Sequence, residues 1–335
     1  MTPLVSILIP AYNAERWIGD TIQSALAQTW PRAEVIIVDD GSRDRTFQTA
    51  RQFASKTVSV VTQENQGASA ARNRAFELSQ GDYVQWLDAD DLVAPDKIAR
   101  QMEAAEEVGS KRTLISSAWA YFIYSQNRAE FVPTPLWCDL APVEWLIRKM
   151  GQNLQMPPAT WLVSRELTQS AGPWDTRLTF DDDGEYFCRA VRASDGIRFI
   201  PEARIFYRVS GPGTVSDFDQ SEEKLASLFL SMQLHVQYLR SLEDSERIRA
   251  ACLSYLQRRF FRFYPEHKRL VDELQQLAGS LGSRLEVSQL RWKYSLIQKL
   301  LGWKLTMRVR QHYNRSKSFL VRSIDKALFC LEGTR

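Results

Sequence analysis

Asp88, Asp90 and Asp91 follow directly on an apolar run in the stretch "YVQWLDADDL", residues 83–92. Val84, Trp86 and Leu87 have the pattern of a buried strand, which emerges at the acids. Like charges so close resist burial together, so Asp88-Ala89-Asp90 needs either bulk water or a cation. Hard oxygen donors with no His or Cys nearby suit Mg2+ or Mn2+, ions that such sites share with substrate phosphates. The alternative on these residues alone is a solvated acidic turn ahead of a helix opened by Pro95. A second acidic pair, Asp39-Asp40 in "DDGSRD", offers an acceptor for a base imide or a ribose hydroxyl, or forms an Asx-type turn with no ligand.

These acids need elements to bring them together. Apolar runs at residues 5–9, 34–38, 58–61 and 83–87 alternate with helical patterns at about 13–28 and 45–55 and from "ENQGASAARN" to about 79. Asn13 and Asp44 are the expected helix caps, and Gly41 permits a tight turn. Strand and helix alternating in this way predict a parallel sheet wound with helices on both faces. Ligands of such sheets collect beyond the carboxyl ends of the strands. Positions 10–12, 39–40 and 88–91 therefore share one crevice. The first strand runs into "IPAYNAERW", which holds neither GxGxxG nor GxxxxGK[ST], so a dinucleotide fingerprint and a phosphate loop are both excluded. A diphosphate would be held by a metal on Asp88 and Asp90.

The stretches "SILIPAYNAERWIGDTIQSALAQTW", "EVIIVDDGSRDRT" and "ENQGASAARNRAFELSQGDYVQWLDADD" together resemble the nucleotide-binding half of family 2 of the inverting glycosyltransferases. The resemblance covers residues 5–92 nearly without gaps. Its specificity lies in the combination, since "DAD" alone is weak. It implies the GT-A fold, an α/β architecture with a Rossmann-like, mostly parallel central sheet, followed here by an α-helical C-terminal region. It also implies a nucleotide-diphosphate sugar donor, a UDP-sugar foremost. Pro10, Tyr12 and Asp40 would surround the base with Asp39 beside them, Arg72 would lie near the donor, Asp88 would point toward ribose or metal, and Asp90 would bind the Mn2+ or Mg2+.

Inversion at an anomeric carbon requires one carboxylate opposite the leaving group, to deprotonate the acceptor hydroxyl. The candidate region is "GPWDTRLTFDDDGEYFCRA", residues 172–190. Acids at a helix start also serve simply to complement the dipole. In the family, an Asp-Asp or Glu-Asp pair follows a "GxxD" element, and its second member is the base. Carried over, the base is Asp183 with Asp182 as the alternative, and Glu185 and Arg189 support the acceptor site. Gly184 stands where the family has an apolar or aromatic residue. Trp161 and Trp174 either present their faces to a pyranose ring or belong to the core. Residues 196–209 read as a hairpin whose Arg204 and Arg208 could reach an anionic acceptor or a donor phosphate.

The chain has 335 residues, 44% apolar and 25% charged, the composition of a soluble globular protein. No uninterrupted apolar run reaches spanning length, and the start of the sequence is a strand pattern rather than a leader, so a cytoplasmic location is expected. The four cysteines are scattered, without the spacing of a zinc site. The expected organisation is a nucleotide-sugar half over residues 1–110, an acceptor and catalytic-base half over 111–215, and helices over 216–335 after a "SGPGTVSD" linker. From Arg284 onward twelve Lys/Arg face three Asp/Glu, which leaves a net −6 on the first 283 residues within a chain total of +3. Trp292, Leu296, Leu300, Trp303 and Met307 recur at helical spacing among basic residues, as in a helix lying on an anionic membrane surface or packed on an acidic body. No nucleic-acid module accompanies the basic residues. The functional reading is an inverting hexosyltransferase acting on a glycan or lipid-linked acceptor in cell-surface polysaccharide synthesis, peripheral to the inner face of the membrane. The alternatives are a sugar nucleotidyltransferase and a non-catalytic carbohydrate or membrane adaptor.

Overall fold

A computed structural model of the chain describes residues 2–210, 221–287, 313, 319 and 321–331. The chain opens β1 (Val5–Ala11), α1 (Ile18–Leu26), β2 (Ala33–Asp39), α2 (Thr46–Arg51), β3 (Val58–Thr62), α3 (Ala68–Leu78) and β4 (Tyr83–Trp86). The four strands pair in parallel in the order β3-β2-β1-β4. Every residue of β1 and β4 is buried, Ser6 and Gln85 included, which is why these strands read as mainly apolar runs. The order moves outward from β1 to β3 and then jumps back to β4. Right-handed crossovers therefore place α1 and α2 on one face and α3 on the other. The reversal falls between β1 and β4, and the space beyond their carboxyl ends is where sheets of this kind bind ligands.

The next elements are β5 (Leu92–Val93), α4 (Lys97–Val108), β6 (Thr113–Phe122), α5 (Pro142–Gln152), β7 (Leu162–Ser164), α6 (Arg165–Ala171), α7 (Asp182–Ala193) and β8 (Gly196–Arg208). Strand β7 lies antiparallel between β4 and β6, so one eight-stranded sheet, β3-β2-β1-β4-β7-β6-β8-β5, runs through both halves and is not interrupted near residue 110. With β5–β8 also antiparallel, the sheet is mixed, and its uninterrupted parallel stretch is the β3-β2-β1-β4 part. The hairpin expected over residues 196–209 is instead the single strand β8, parallel to β6. Its register slips between Ser117–Ile200 and Ala118–Arg204. Pro201 has no N–H for the ladder, so the chain bulges at residues 201–203 and then resumes in the same direction. The cap expected at Asn13 is also displaced, because α1 begins only at Ile18.

Helices α8 (Glu222–Leu242), α9 (Glu246–Phe260) and α10 (Lys268–Ser280) follow. Leu225, Leu228, Met232, Val236 and Leu239 are buried on α8, and Ile248, Cys252, Leu256 and Phe260 on α9. Those faces pack on α7 and α5 respectively, so the helical region is joined to the core of the sheet domain. Residues 321–331 are also helical. Among the described residues no helix is long and apolar enough to cross a membrane. The "SGPGTVSD" linker beyond Ser210 and the Trp292 to Met307 pattern lie outside the described residues.

Candidate active site

The acids beyond β4 are held in a turn in which Asp91 N donates to Asp88 O at 3.1 Å. Thr21 of α1 clamps the turn by donating to Ala89 O at 3.0 Å. Asp88 remains 26% exposed through its side chain. Asp90 Oδ2 accepts from Ser210, and burial pushes its carboxyl up to about 6, with Asp88 adding to the rise and Ser210 opposing it. Asp91 is fully buried and accepts from Arg208 N at 2.9 Å. Arg208 does not face a ligand. Its guanidinium lies between Trp17 (4.2 Å) and Phe122 (4.4 Å) and donates to Asp90 O at 2.7 Å, bracing the turn from within. Arg204 lies over Phe131. Among the described residues no three His, Cys, Asp or Glu side chains converge as a ligand set. Asp88 and Asp90 supply hard oxygens, and Asp88 keeps one of them clear of its ion pair with Arg72. That donor set fits Mg2+ or Mn2+ completed by diphosphate and water.

Pro10 is buried at the end of β1, and Tyr12, 44% exposed, stands beside it. Asn13 Oδ1 accepts from Arg43 N, and Asn13 N donates to Ser42 Oγ, both at 2.9 Å, so Asn13 stitches the loops after β1 and β2 together instead of capping α1. Asp39, the last residue of β2, and Asp40 after it divide differently from the expectation that Asp40 meets the base. Asp40 Oδ1 accepts from Gln63 Nε2 (2.8 Å) and Gln66 N (3.0 Å), and Oδ2 from Gly67 N (2.8 Å). Its carboxylate is occupied in shaping the loop ahead of α3. Asp39 Oδ2 accepts from Thr62 Oγ1 and Ser42 N, while its Oδ1 is buried and unpartnered. Buried polar atoms are normally satisfied, so Asp39 Oδ1 is the carboxylate oxygen at this strand end that still lacks a partner. Gly41, at φ +71°, could not be replaced without a clash, because a Cβ would lie 2.9 Å from Asn65 N.

Arg72 projects from α3 and is buried. Its fork reaches two elements at once: Nη2 donates to Asp88 Oδ1 at 2.8 Å and Nη1 to Asp182 Oδ2 at 2.7 Å. Burial alone would lower its pKa, but Asp88 and Asp182 outweigh that and hold it above its ordinary value. Arg72 is thus the tie between the β4 turn and the first turn of α7. Asp183 is left outside this fork, with Gly184 N donating to its Oδ1 at 2.7 Å. Burial, then Asp182 and Asp181, push the Asp183 carboxyl up to about 7 against the opposing pull of Arg72 and Lys149. Gly184 departs from the family pattern for a steric reason: the Asp181 carboxylate occupies the space its Cβ would take.

Four residues expected at the acceptor site lie elsewhere in their environments. Trp161 is 0% exposed, between Trp145 and Phe187 at ring distances of 5.5 and 5.3 Å, so neither face is open to a sugar. Trp174 stacks on Tyr186 at 4.1 Å and carries the Arg72 guanidinium at 4.3 Å. Both tryptophans are core. Glu185 is buried and pairs with Arg189 at 2.6 Å while accepting from Tyr238 Oη at 2.7 Å. Arg189 also donates to Pro173 O at 2.8 Å. This pair clasps α7 to α8 and to the turn before it. Sequence reasoning missed Thr21, Ser210 and the bracing role of Arg208, for isolated hydroxyls carry no periodic signal.

A mixed sheet with this strand order, a carboxylate-lined crevice at its reversal and no phosphate loop defines the class: the fold is that of the GT-A glycosyltransferases. The N-terminal part of S. aureus TarS, residues 1–349 in complex with UDP-GlcNAc, shares it with a TM-score of 0.66 at 17% identity, over 83% of this chain and 81% of that one. Residues 6–137 match the model of glycosyl transferase family 2. The chain is 29% identical over 216 residues to the uncharacterized glycosyltransferase EpsJ of Bacillus subtilis, covering 62% of each chain. It is 46% identical over 128 residues to the putative teichuronic acid biosynthesis glycosyltransferase TuaG of the same organism, covering 37% of this chain and 49% of that one. The matches thus span 62% and 49% of these two curated relatives.

Proposed function

We propose that the chain is an inverting, metal-dependent transferase that moves a sugar from a UDP-sugar to a hydroxyl of a glycan or lipid-linked acceptor in cell-surface polysaccharide synthesis. The observation that carries this reading is the division of roles around Arg72, which engages Asp88 and Asp182 and leaves Asp183 as an unpaired carboxylate of raised pKa. In this reading Asp39 Oδ1 accepts from the base imide, with Pro10 and Tyr12 flanking the base. Asp88 and Asp90 would hold Mg2+ or Mn2+, which when bound neutralises charge on the departing diphosphate. Asp183 takes the proton of the acceptor hydroxyl. The acceptor oxygen forms its bond to the anomeric carbon from the opposite face as the bond to the diphosphate breaks, and UDP leaves with the electron pair.

The test is to present UDP-glucose, UDP-galactose and UDP-GlcNAc with Mn2+ and identify the products. Release of UDP is expected. Pyrophosphate with sugar phosphate would point instead to a sugar nucleotidyltransferase, and binding of donor without turnover to an adaptor. Asp90→Ala is expected to weaken Mn2+-dependent binding of UDP by about tenfold or more, as loss of a supporting group does at metal sites. An unchanged Kd by calorimetry would remove Asp90 from the metal.

The same reading includes recruitment to an anionic membrane surface. The observation favouring it lies in residues 321–331. Arg322 donates to Ser210 O at 2.9 Å and Asp325 accepts from Tyr124 N at 2.9 Å, turning that side toward the crevice domain. Val321, Ile324 and Leu328, at helical spacing on the other side, are exposed. An apolar stripe on a segment with a surplus of Lys and Arg in its sequence suits a lipid interface. The full chain is expected to sediment with phosphatidylglycerol vesicles and to remain in solution with phosphatidylcholine vesicles. Equal partition in both cases would remove the electrostatic recruitment.

A further inference from the structure

The loop that delivers the α7 aspartates is held from the C-terminal helices by two serines one turn apart on α8. Ser227 Oγ accepts from Thr179 N at 3.0 Å and Phe180 N at 2.9 Å, and donates to Phe180 O at 2.8 Å. One hydroxyl thereby satisfies three backbone groups of the loop. Ser231 Oγ donates to Asp181 Oδ2 at 2.5 Å, with His235 Nδ1 3.2 Å from the same hydroxyl. The two serines are 4% and 0% exposed. A serine within a helix commonly bonds back to its own preceding turn, whereas both of these reach across to residues 179–181.

Asp181 is a sensitive point for such a clamp. Its backbone is left-handed, at φ 62°, a conformation that non-glycine residues keep only when their surroundings hold it. Asp181 O accepts from Glu185 N at 3.1 Å, the bond that begins α7. A shift at Asp181 therefore loosens the turn that contains Asp182 and Asp183. Arg72 anchors that turn from the other side through Asp182, so Asp183 sits between two anchors, one on α3 and one on α8.

We propose that Ser227 and Ser231 are positioning residues for Asp183, so that the C-terminal helices set the placement of the catalytic base through residues 179–181. This rests on Asp183 being the base. Misplacing a reacting group by about 1 Å costs on the order of 100-fold in rate. The Ser227→Ala/Ser231→Ala double variant of the full chain is accordingly expected to lose about 10- to 100-fold in kcat for UDP release from the donor the parent uses, with donor KM within about twofold. Hydrogen exchange at the Thr179 and Phe180 amides should accelerate, since they lose their acceptor. Ser231→Thr, which keeps the hydroxyl, should retain more kcat than Ser231→Ala. Met232→Ala, a buried apolar truncation on the same helix, serves as the control for stability. It should lower Tm while leaving kcat at 25 °C and exchange in the loop unchanged. Parental kcat together with parental exchange in the double variant would overturn the proposal, as would a Met232→Ala variant that loses kcat in proportion to Tm. If the parent releases no UDP from any of the three donors, the functional reading fails by itself. Exchange then decides the clamp: faster loop amides in the serine variants support it, and unchanged amides overturn it.

Discussion

Asp183→Asn is expected to abolish sugar transfer while leaving the fold intact and, above neutral pH, more stable than the parent. Removing a general base typically costs about 10²- to 10⁴-fold in rate. Donor binding should persist, since the expected donor contacts come from the other half of the crevice. The stability sign follows from the direction of the shift. The Asp183 carboxyl is raised from its ordinary 3.8 to about 7 by burial and by Asp182 and Asp181, so its ionised form is disfavoured in the native state. That cost is absent below about pH 4, where folded and unfolded chains are both protonated. It develops as pH rises toward 7 and is complete above it. Asparagine cannot ionise, so the variant should show a higher Tm at pH 8 and little change at pH 4. In the parent, kcat/KM should rise through about pH 7 as the base form appears. A variant with appreciable transfer, or a parent with a flat profile from pH 5 to 9, would remove Asp183 as the base. Asp182→Asn gives the contrast, because it breaks an ion pair with Arg72 and should destabilise the fold.

The reasons some of this was legible are local. Strands buried on both faces produce uninterrupted apolar runs, and an acid can stand only where such a strand leaves the core, so Asp39, Asp88 and Asp90 mark strand ends in the sequence itself. The alternation of β1 through β4 follows from the same pattern. Side-chain direction on α7 was not legible. Successive residues on a helix point about 100° apart, so Asp182 meets Arg72, Asp183 does not, and Glu185 turns to Arg189 and α8. All of them read alike as acids at a helix start. The tryptophans failed as a sugar floor because a large aromatic ring is as useful in a core as at a ligand, and only packing distinguishes the two. Asp40 could not be separated from Asp39 because the partners that occupy it, at residues 63–67, lie a crossover away in sequence.

The second large effect is expected at Arg72, where methionine would keep much of the side-chain volume and remove both arms of the fork. Asp88 and Asp182 would then share a poorly solvated site with no cation between them. Breaking a buried pair by removing one partner costs about 3–5 kcal/mol. The lower end is expected here, because the Asp88 side chain is 26% exposed and water can screen it. A further loss of about 0.5–2 kcal/mol comes from the guanidinium over Trp174. Transfer should be lost as well, since the turn carrying Asp183 is released from α3. Arg72→Lys should not rescue it: a lysine ammonium is a point charge and cannot present a planar pair of donors to carboxylates on two different elements. Adding Asp182→Asn to Arg72→Met relieves one of the stranded charges, so the double variant should be more stable than the sum of the singles by about 0.5–3 kcal/mol. Urea unfolding of the four chains measures this directly. An Arg72→Met midpoint equal to the parent's, or strict additivity in the cycle, would show that the fork does not hold the two halves of the crevice together.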